Sequence, residues 1–294
     1  MRGKLCVITG ATSGIGRATA LALGAMGVNL VLLGRNESKG RSVVARIARF
    51  PLAGKVEFLR TDLSVQRNVH DSAGNITRSH RHIDLLINNA GARFDHCQRS
   101  ADGHELTFAT NHLGHFLLTG LLLERLVGAG QGRIITVTSG SHGSARADGN
   151  WQLGAEDYDR RQAYAKSKLA NLLFAYELAR RLASTSAVSQ AIDPGGVASH
   201  FARNNGWLSW AKHVLSHALR KELISSSEAA HTVVHVATAP DLPVANGGYY
   251  SRMNSVRSSP DSYDLEAARK LWALSLALTG LVKYQDIPCL FTKP

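Results

Sequence analysis

The sequence predicts an α/β fold, a single doubly wound parallel sheet with helices on both faces, spanning residues 1–294 as one domain. Three observations predict it. An apolar run, a glycine-rich turn, an alanine-rich segment and a second apolar run follow one another within about thirty residues, which is the βαβ signature of a parallel sheet. Apolar runs and helical stretches then alternate almost to the end of the chain. No internal repeat and no linker interrupts them.

The elements follow in order. Lys4 to Thr9 (KLCVIT) is a short apolar run closed by glycine and reads as a buried strand. Gly10 to Gly16 is the turn, and Arg17 to Met26 reads as a helix stopped by Gly27. Asn29 to Leu33 is the second strand, Val56 to Arg60 the third and Ile83 to Ile87 the fourth, ahead of Asn88-Asn89-Ala90-Gly91. Leu106 to Val127 contains a long leucine-rich helix. Arg133 to Thr138 is the fifth strand and Tyr164 to Leu182 a second long helix. Ala187 to Ile192 is the sixth strand, stopped by Asp193-Pro194-Gly195-Gly196, and Gly247 to Ser251 a seventh. A C-terminal helix is expected at about 264–282.

Two stretches break the rhythm, Ser139 to Gln162 and Val197 to Glu222, the latter carrying Trp207 and Trp210. In an open α/β sheet, ligands bind outside the carboxyl ends of the strands. Both stretches leave that edge, so they are expected to wall a substrate pocket, an apolar one beside the tryptophans. The alternative is an ordinary surface excursion with two packing tryptophans.

Composition narrows the function classes. The chain is 44% hydrophobic and 19% charged, which excludes a disordered, collagenous or coiled-coil architecture. Its formal charge is +12, and arginine (24) outnumbers lysine (10). The densest basic stretch, Arg78 to His82, is short, so a solvated basic surface that draws in an anionic cofactor is preferred to a nucleic-acid patch. Cys6, Cys97 and Cys289 are odd in number, without zinc or disulfide spacing. No metal is expected, and a reducing, cytoplasmic setting is. Met1 leads straight into a strand pattern rather than a signal peptide. No uncharged apolar run reaches the ~18 residues of a membrane span; the best, Leu271 to Val282, is shorter.

The turn Thr9-Gly10-Ala11-Thr12-Ser13-Gly14-Ile15-Gly16 has GxxxGxG spacing between a strand and a helix. Such glycines let backbone N–H groups approach a pyrophosphate at a helix N-terminus. The second strand ends in Gly34-Arg35-Asn36, with no acid where an NAD site holds the ribose 2′-hydroxyl. A guanidinium suits a 2′-phosphate instead, so NADP(H) is preferred to NAD(H), with Arg17 as a second candidate cation. Glu37 can supply the missing carboxylate from another angle.

Tyr164 and Lys168 stand at i and i+4 and share a helix face. An ammonium there, with the positive ring of an oxidised nicotinamide, would lower the phenol pKa from near 10 into a working range. Tyr164 is then an acid or base for a carbonyl and its alcohol. Lys166 points elsewhere. Ser139 ends the fifth strand and can hold the substrate oxygen. Asn111, a polar amide in a leucine-rich helix, can hold a water that relays protons to the lysine.

TGATSGIG at 9–16, NNAG at 88–91, NHLGHFLLT at 111–119, TVTSGSH at 136–142, YAKSK at 164–168 and DPGGV at 193–197 resemble the short-chain dehydrogenase/reductase family, of Rossmann type, over nearly the whole chain. The retinol dehydrogenase-like branch is especially similar, by NHLGHFLLT, SKLAN at 167–171 and the GGYYS and AARKLW runs. The resemblance implies a tetrad of Asn111, Ser139, Tyr164 and Lys168. It implies cofactor contacts along the turn, from Gly10, Ser13, Gly14, Ile15 and Gly16. Further contacts are implied from Arg35, Asp62 and Leu63, from Asn89, Ala90 and Gly91, from Tyr164 and Lys168, and from Pro194, Gly195, Val197 and Ser199. Asp62-Leu63 would border the adenine, and Lys168 would also bind ribose hydroxyls. Asp193 stands where asparagine or histidine is common, and Ser199 where threonine is. The N-terminal hydrophobic segment of membrane-bound members is absent, which implies a protein without stable membrane insertion. Homodimers or homotetramers through the two long helices are implied, although the loop before Tyr164 can interfere.

Together these readings predict an NADP(H)-dependent carbonyl reductase or alcohol dehydrogenase for a bulky apolar aldehyde or ketone. The alternative is a dinucleotide-binding regulatory protein without significant turnover.

Overall fold

A computed structural model describes residues 1–196 and 224–281. Eight strands form one sheet: β1 (Leu5–Thr9), β2 (Asn29–Gly34), β3 (Val56–Arg60), β4 (Leu85–Asn88), β5 (Arg133–Val137), β6 (Val188–Asp193), β7 (Tyr249–Ser251) and β8 (Asn254–Ser255). Their spatial order is β3-β2-β1-β4-β5-β6-β7-β8. All neighbours are parallel except β7 and β8. The order reverses between β1 and β4, so a crevice opens there at the carboxyl ends of the strands.

The described helices are α1 (Gly14–Ala25), α2 (Glu37–Ile47), α3 (Gln66–Ser79), a single turn α4 (Leu106–Phe108), α5 (Gly114–Val127), α6 (Arg160–Arg181), α7 (Ser226–Thr238) and α8 (Leu265–Thr279). Strand side chains alternate between the faces. Leu5 and Val7 of β1 join the cluster of Val69, Leu117 and Phe174, on α3, α5 and α6. Cys6 and Ile8 join that of Leu23, Ile47 and Val233, on α1, α2 and α7. The strands are apolar on both sides because both sides are covered.

The structure departs from the sequence reading in four places. The long helix expected within Leu106 to Val127 is interrupted by a π-helical turn, Ala109–Leu113. The second long helix starts earlier than Tyr164, at Arg160, because the Asp159 carboxylate caps the N–H groups of Arg161 and Gln162. An eighth, antiparallel strand follows the predicted seventh. Within 139–162, Ser139 and Ser141 line the cleft at the carboxyl edge of the sheet, Ala145 and Trp151 pack into a buried cluster with Phe108, Leu169 and Leu271, and most of the remainder is exposed, so only the start of that stretch is pocket wall. The second predicted wall, 197–222, with Trp207 and Trp210, lies outside the described residues, as do Val197, Ser199 and Cys289.

Helix α8, the expected C-terminal helix, lies over α5 and α6. Its Trp272 meets Phe116 with ring centroids 5.0 Å apart and Phe174 at 5.9 Å. From Ala163 to Ala179 every residue of α6 is buried except Tyr164.

Candidate functional site

A cleft of about 740 Å³ opens at the carboxyl edge of the sheet, over the β1/β4 switch. Its first wall is the glycine turn. Gly10 has φ +68°, and a Cβ on it would lie 2.8 Å from the Ala90 Cα. A Cβ on Gly16 would overlap the Asn89 amide and the Gly10 carbonyl. Only glycine allows the turn to lie this close to the β4 loop. Ser13 is the N-cap of α1 but makes no side-chain cap, and no acid occupies the first turn. The N–H groups beginning at Gly14, Ile15 and Gly16 thus face the cleft at the positive end of the helix.

The β4 loop is tied to this turn. Asn89 donates from its side chain to the Thr9 carbonyl (2.8 Å), and the N–H groups of Asn89 and Ala90 donate to Thr9 Oγ1 (2.8 and 3.0 Å). Thr9 Oγ1 is 2.9 Å from His115 Nε2, and His115 Nδ1 is 2.9 Å from the Asn111 carbonyl. Thr9 is thus the donor in the first contact and His115 Nδ1–H in the second, which fixes a neutral tautomer. Burial pushes the His115 pKa down to about 4.

Arg35 lines the cleft beyond β2, and Lys39, which sequence reasoning missed, lines it from the first turn of α2. Asn36 Oδ1 caps that helix through the Lys39 N–H at 2.8 Å. The signal was available: an asparagine N-cap after Arg35 places a cation three residues on beside it. Glu37 pairs with Arg41 and does not line the cleft. Arg17 is exposed on α1 and does not line it either. The sequence reading that offered these two residues to the ribose is corrected accordingly. Asp62, Leu63, Gly91, Pro194 and Gly195 all line the cleft as expected.

At the far end stand Ser139, Tyr164 and Lys168. Tyr164 is partly exposed, and its hydroxyl is hydrogen-bonded with the Ser139 side chain. Burial nevertheless pushes the phenol up to about 12; the Ser139 bond and Arg93 oppose this and Asp193 adds to it. Lys168 is 3% exposed and donates to the Val137 carbonyl at 3.1 Å. Burial brings its pKa down to about 8 against the pull of Asp193. The expected acidification of Tyr164 by Lys168 is absent from the protein itself, because removing both groups from water disfavours both charged forms. Lys166, as expected, turns away and pairs with Asp148 at 2.6 Å.

Asn111 does not line the cleft. Its Oδ1 accepts from the Ala92 N–H (2.7 Å), and its amide donates to the Ala92 carbonyl and Ser167 Oγ (both 2.9 Å). Ser167 Oγ donates to the Tyr164 carbonyl at 2.7 Å. Both amide hydrogens are therefore engaged by protein rather than by a relay water, and the side chain braces the β4 loop against α6.

Three features fit a dinucleotide. The glycine cradle leaves room for a pyrophosphate at an uncapped helix N-terminus. Two cations flank the end of β2. The buried Lys168 ammonium donates to the Val137 carbonyl and lines the cleft. Fold and cleft together define a nucleotide-binding α/β oxidoreductase.

The family model described as short chain dehydrogenase matches residues 4–206, and the chain belongs to that family. The chain is 34% identical to human (Homo sapiens) retinol dehydrogenase 11 over 279 residues, covering 95% of this chain and 86% of that one. It is 33% identical to human polyprenol dehydrogenase over 286 residues, with the same two coverages. Among solved structures, an uncharacterised protein from Mycobacterium paratuberculosis aligns with TM-score 0.75 and 31% identity, covering 95% of this chain and 94% of that one. As a member of the family the chain is an oxidoreductase that works with a nicotinamide dinucleotide.

Proposed function

We propose that the chain is an NADP(H)-dependent oxidoreductase that interconverts a bulky apolar aldehyde or ketone and its alcohol, with Ser139, Tyr164 and Lys168 at the reacting end. One observation carries this reading. Within an otherwise buried stretch of α6, Tyr164 is the one partly exposed residue, and it lines the cleft bonded to Ser139 and one helical turn from the buried Lys168, which lines it too. The dinucleotide, when bound, supplies or accepts the hydride at the carbonyl carbon.

The chain's own residues do the rest. The Ser139 hydroxyl orients the substrate oxygen. Tyr164 Oη gives that oxygen a proton in reduction and takes one back in oxidation. A phenol held near 12 is protonated at neutral pH, which favours the reductive direction. Lys168 holds ribose hydroxyls. Asn111 is a positioning residue that fixes the β4 loop and α6 together.

Preference for the 2′-phosphate is supported by Arg35 and Lys39 on the cleft and by the engagement of Glu37 with Arg41. An apolar substrate is supported by the relatives, whose named substrates, retinol and polyprenol, are long apolar alcohols. Among the described residues, Cys6 and Cys97 are free thiols, in keeping with a cytoplasmic setting. No described helix is long and apolar enough to cross a membrane. Since α8 lies over α5 and α6, any homodimer or homotetramer is assigned to other surfaces.

The test is consumption of NADPH with a panel of long-chain aldehydes and ketones. Wild type should reduce members of the panel. Tyr164→Phe should lose roughly 10²- to 10⁴-fold in kcat while NADPH binding, read by fluorescence, is retained. A near-wild-type rate in that variant overturns the role of Tyr164.

A further inference from the structure

His142 is a buried imidazole in the TVTSGSH run that the proposed chemistry does not use. It is 5% exposed and does not line the cleft, whereas Ser139, three residues earlier, does. Both ring nitrogens are engaged. Nδ1 lies 2.7 Å from the Ser139 carbonyl oxygen, and Nε2 lies 3.1 Å from the Ser259 backbone nitrogen. A carbonyl only accepts and a backbone N–H only donates. The ring is therefore the neutral Nδ1–H tautomer, donating to Ser139 and accepting from Ser259.

The Ser139 carbonyl needs that bond for a local reason. Ser139 is the extended N-cap of a 3₁₀ turn, Gly140–Ser144, which contains Gly140 and Gly143. Two glycines make the turn pliant. From the turn itself the carbonyl receives the His142 backbone N–H at 3.0 Å. Besides its bond with Tyr164, the Ser139 hydroxyl is held by two long contacts with Ser141, both 3.3 Å. A serine side chain has one heavy-atom torsion with three staggered wells, so its Oγ goes where the backbone takes it. The second bond to the carbonyl, from the imidazole, is what ties that backbone to the rest of the fold.

The other ring nitrogen leads back to the helix that carries Tyr164. Ser258 Oγ is 2.8 Å from Tyr176 Oη on α6, and the Asp261 carboxylate accepts from the Ala147 N–H at 3.0 Å. Residues 258–261 are thereby held against α6 and against the stretch that follows the 3₁₀ turn. Tyr164, Lys168 and Tyr176 all belong to α6. His142 closes a path from that helix, through Ser258 and Ser259, to the Ser139 backbone. The two hydroxyls are thus placed relative to each other from one element.

We propose that His142 is a positioning residue that sets the Ser139 hydroxyl against Tyr164. This deepens the reading of the reacting end and rests on it.

Asparagine and glutamine separate the two arms of the imidazole. In His142→Asn the amide nitrogen takes the place of Nδ1 and can still donate to Ser139. In His142→Gln the amide reaches Ser259 and leaves the Ser139 carbonyl with its backbone bond. His142→Gln should lose about five- to fifty-fold in kcat for carbonyl reduction, with substrate KM and NADPH affinity held within about two-fold, because a slightly misplaced group costs up to about 10²-fold in rate. His142→Asn should recover most of that loss. In a Ser139→Ala background, His142→Gln should cost less than about two-fold, since the group it places is gone. Equal costs in the two backgrounds overturn the proposal. Two spectra read the arrangement without turnover. Imidazole nitrogen resonances of the wild-type protein should show His142 protonated on Nδ1 and bare on Nε2; the Nε2–H tautomer overturns the proposal even if no variant folds. The Tyr164 Cζ resonance, assigned with Tyr164→Phe, should shift in His142→Gln as it does in Ser139→Ala and stay near its wild-type position in His142→Asn. If that pattern appears and no carbonyl is reduced, the reduction reading fails and the positioning role stands. If carbonyls are reduced while His142→Gln moves neither the Tyr164 resonance nor kcat, the positioning role fails and the reduction reading stands.

Discussion

The Lys168 ammonium lies 5.6 Å from the centroid of the Tyr164 ring, one helical turn along α6, and both groups are held in the form that carries no charge or carries it at a cost. For Lys168 the cost has a sign. Its folded pKa is about 8, below the ordinary 10.5, so the unfolded chain binds the proton more tightly. Stability is therefore lost as pH falls from about 10.5 to about 8, and the loss is complete below that. Lys168→Met should stabilise the protein at pH 7 by on the order of 3 kcal/mol and raise Tm by several degrees. The gain should vanish at a pH where lysine is neutral in both states. The same variant should lose about 10²-fold or more in turnover. Thermal melts across pH, beside NADPH consumption, check both; a variant less stable than wild type at pH 7 contradicts the assignment.

In the proposed NADP(H) reading, cofactor choice rests on Arg35 and Lys39. Both line the cleft beyond β2, and the nearest acid in sequence, Glu37, is paired with Arg41. Arg35→Ala with Lys39→Ala should weaken NADPH binding roughly ten- to one-hundred-fold and leave NADH within about two-fold, because only the 2′-phosphate is lost to them. Parallel fluorescence titrations with the two dinucleotides decide it. Equal losses for both would move these cations off the ribose.

Much of this site was legible in the chain itself, and what was not has identifiable reasons. The glycine turn, Ser139 and the Tyr164–Lys168 pair were legible because strand, turn and helix periodicity fix which residues reach one sheet edge. Asn111 was legible as a polar residue in an apolar helix, but its partners Ala92 and Ser167 stand 19 and 56 positions away. Its bracing role therefore depends on tertiary pairing. The π-helical turn has the same origin. The upward Tyr164 shift in the protein alone was not legible, because i, i+4 spacing reports a neighbour and says nothing about desolvation, which dominates there. Lys39 is a single cation among 34, and only the cleft separates it from the rest.

His115 and His112 make stability sensitive to acid. Burial lowers their pKa values to about 4 and about 3, from the ordinary 6.5. Above about pH 6.5 both are neutral folded or unfolded. As pH falls below that, only the unfolded chain takes up the protons, so stability declines until the folded values are reached. Each histidine should remove about 2 kcal/mol between pH 6.5 and 5. Urea unfolding at pH 7 and at pH 5 measures the sum, and imidazole resonances assign it. A His115 resonance that titrates near 6.5 would contradict its place between Thr9 and Asn111.

Trp272 decides whether α8 truly belongs to the face of α5 and α6. Its ring meets Phe116 nearly edge-on and lies within 20° of parallel to Phe174, and the Arg181 guanidinium carbon stands 4.5 Å from its centroid. The indole N–H is buried with no partner among the described residues, so the ring contributes through area and not through a hydrogen bond. Trp272→Ala should therefore cost about 3–5 kcal/mol, and Trp272→Phe under about 2, because phenylalanine keeps most of the aromatic contact. Removing the anchor also loosens the helix that covers α5 and α6. Trp272→Ala should then self-associate with rising concentration, whereas wild type should not pair through that face. Denaturant unfolding and light scattering on the two variants separate the effects: an alanine variant as stable as wild type would mean that α8 is held elsewhere.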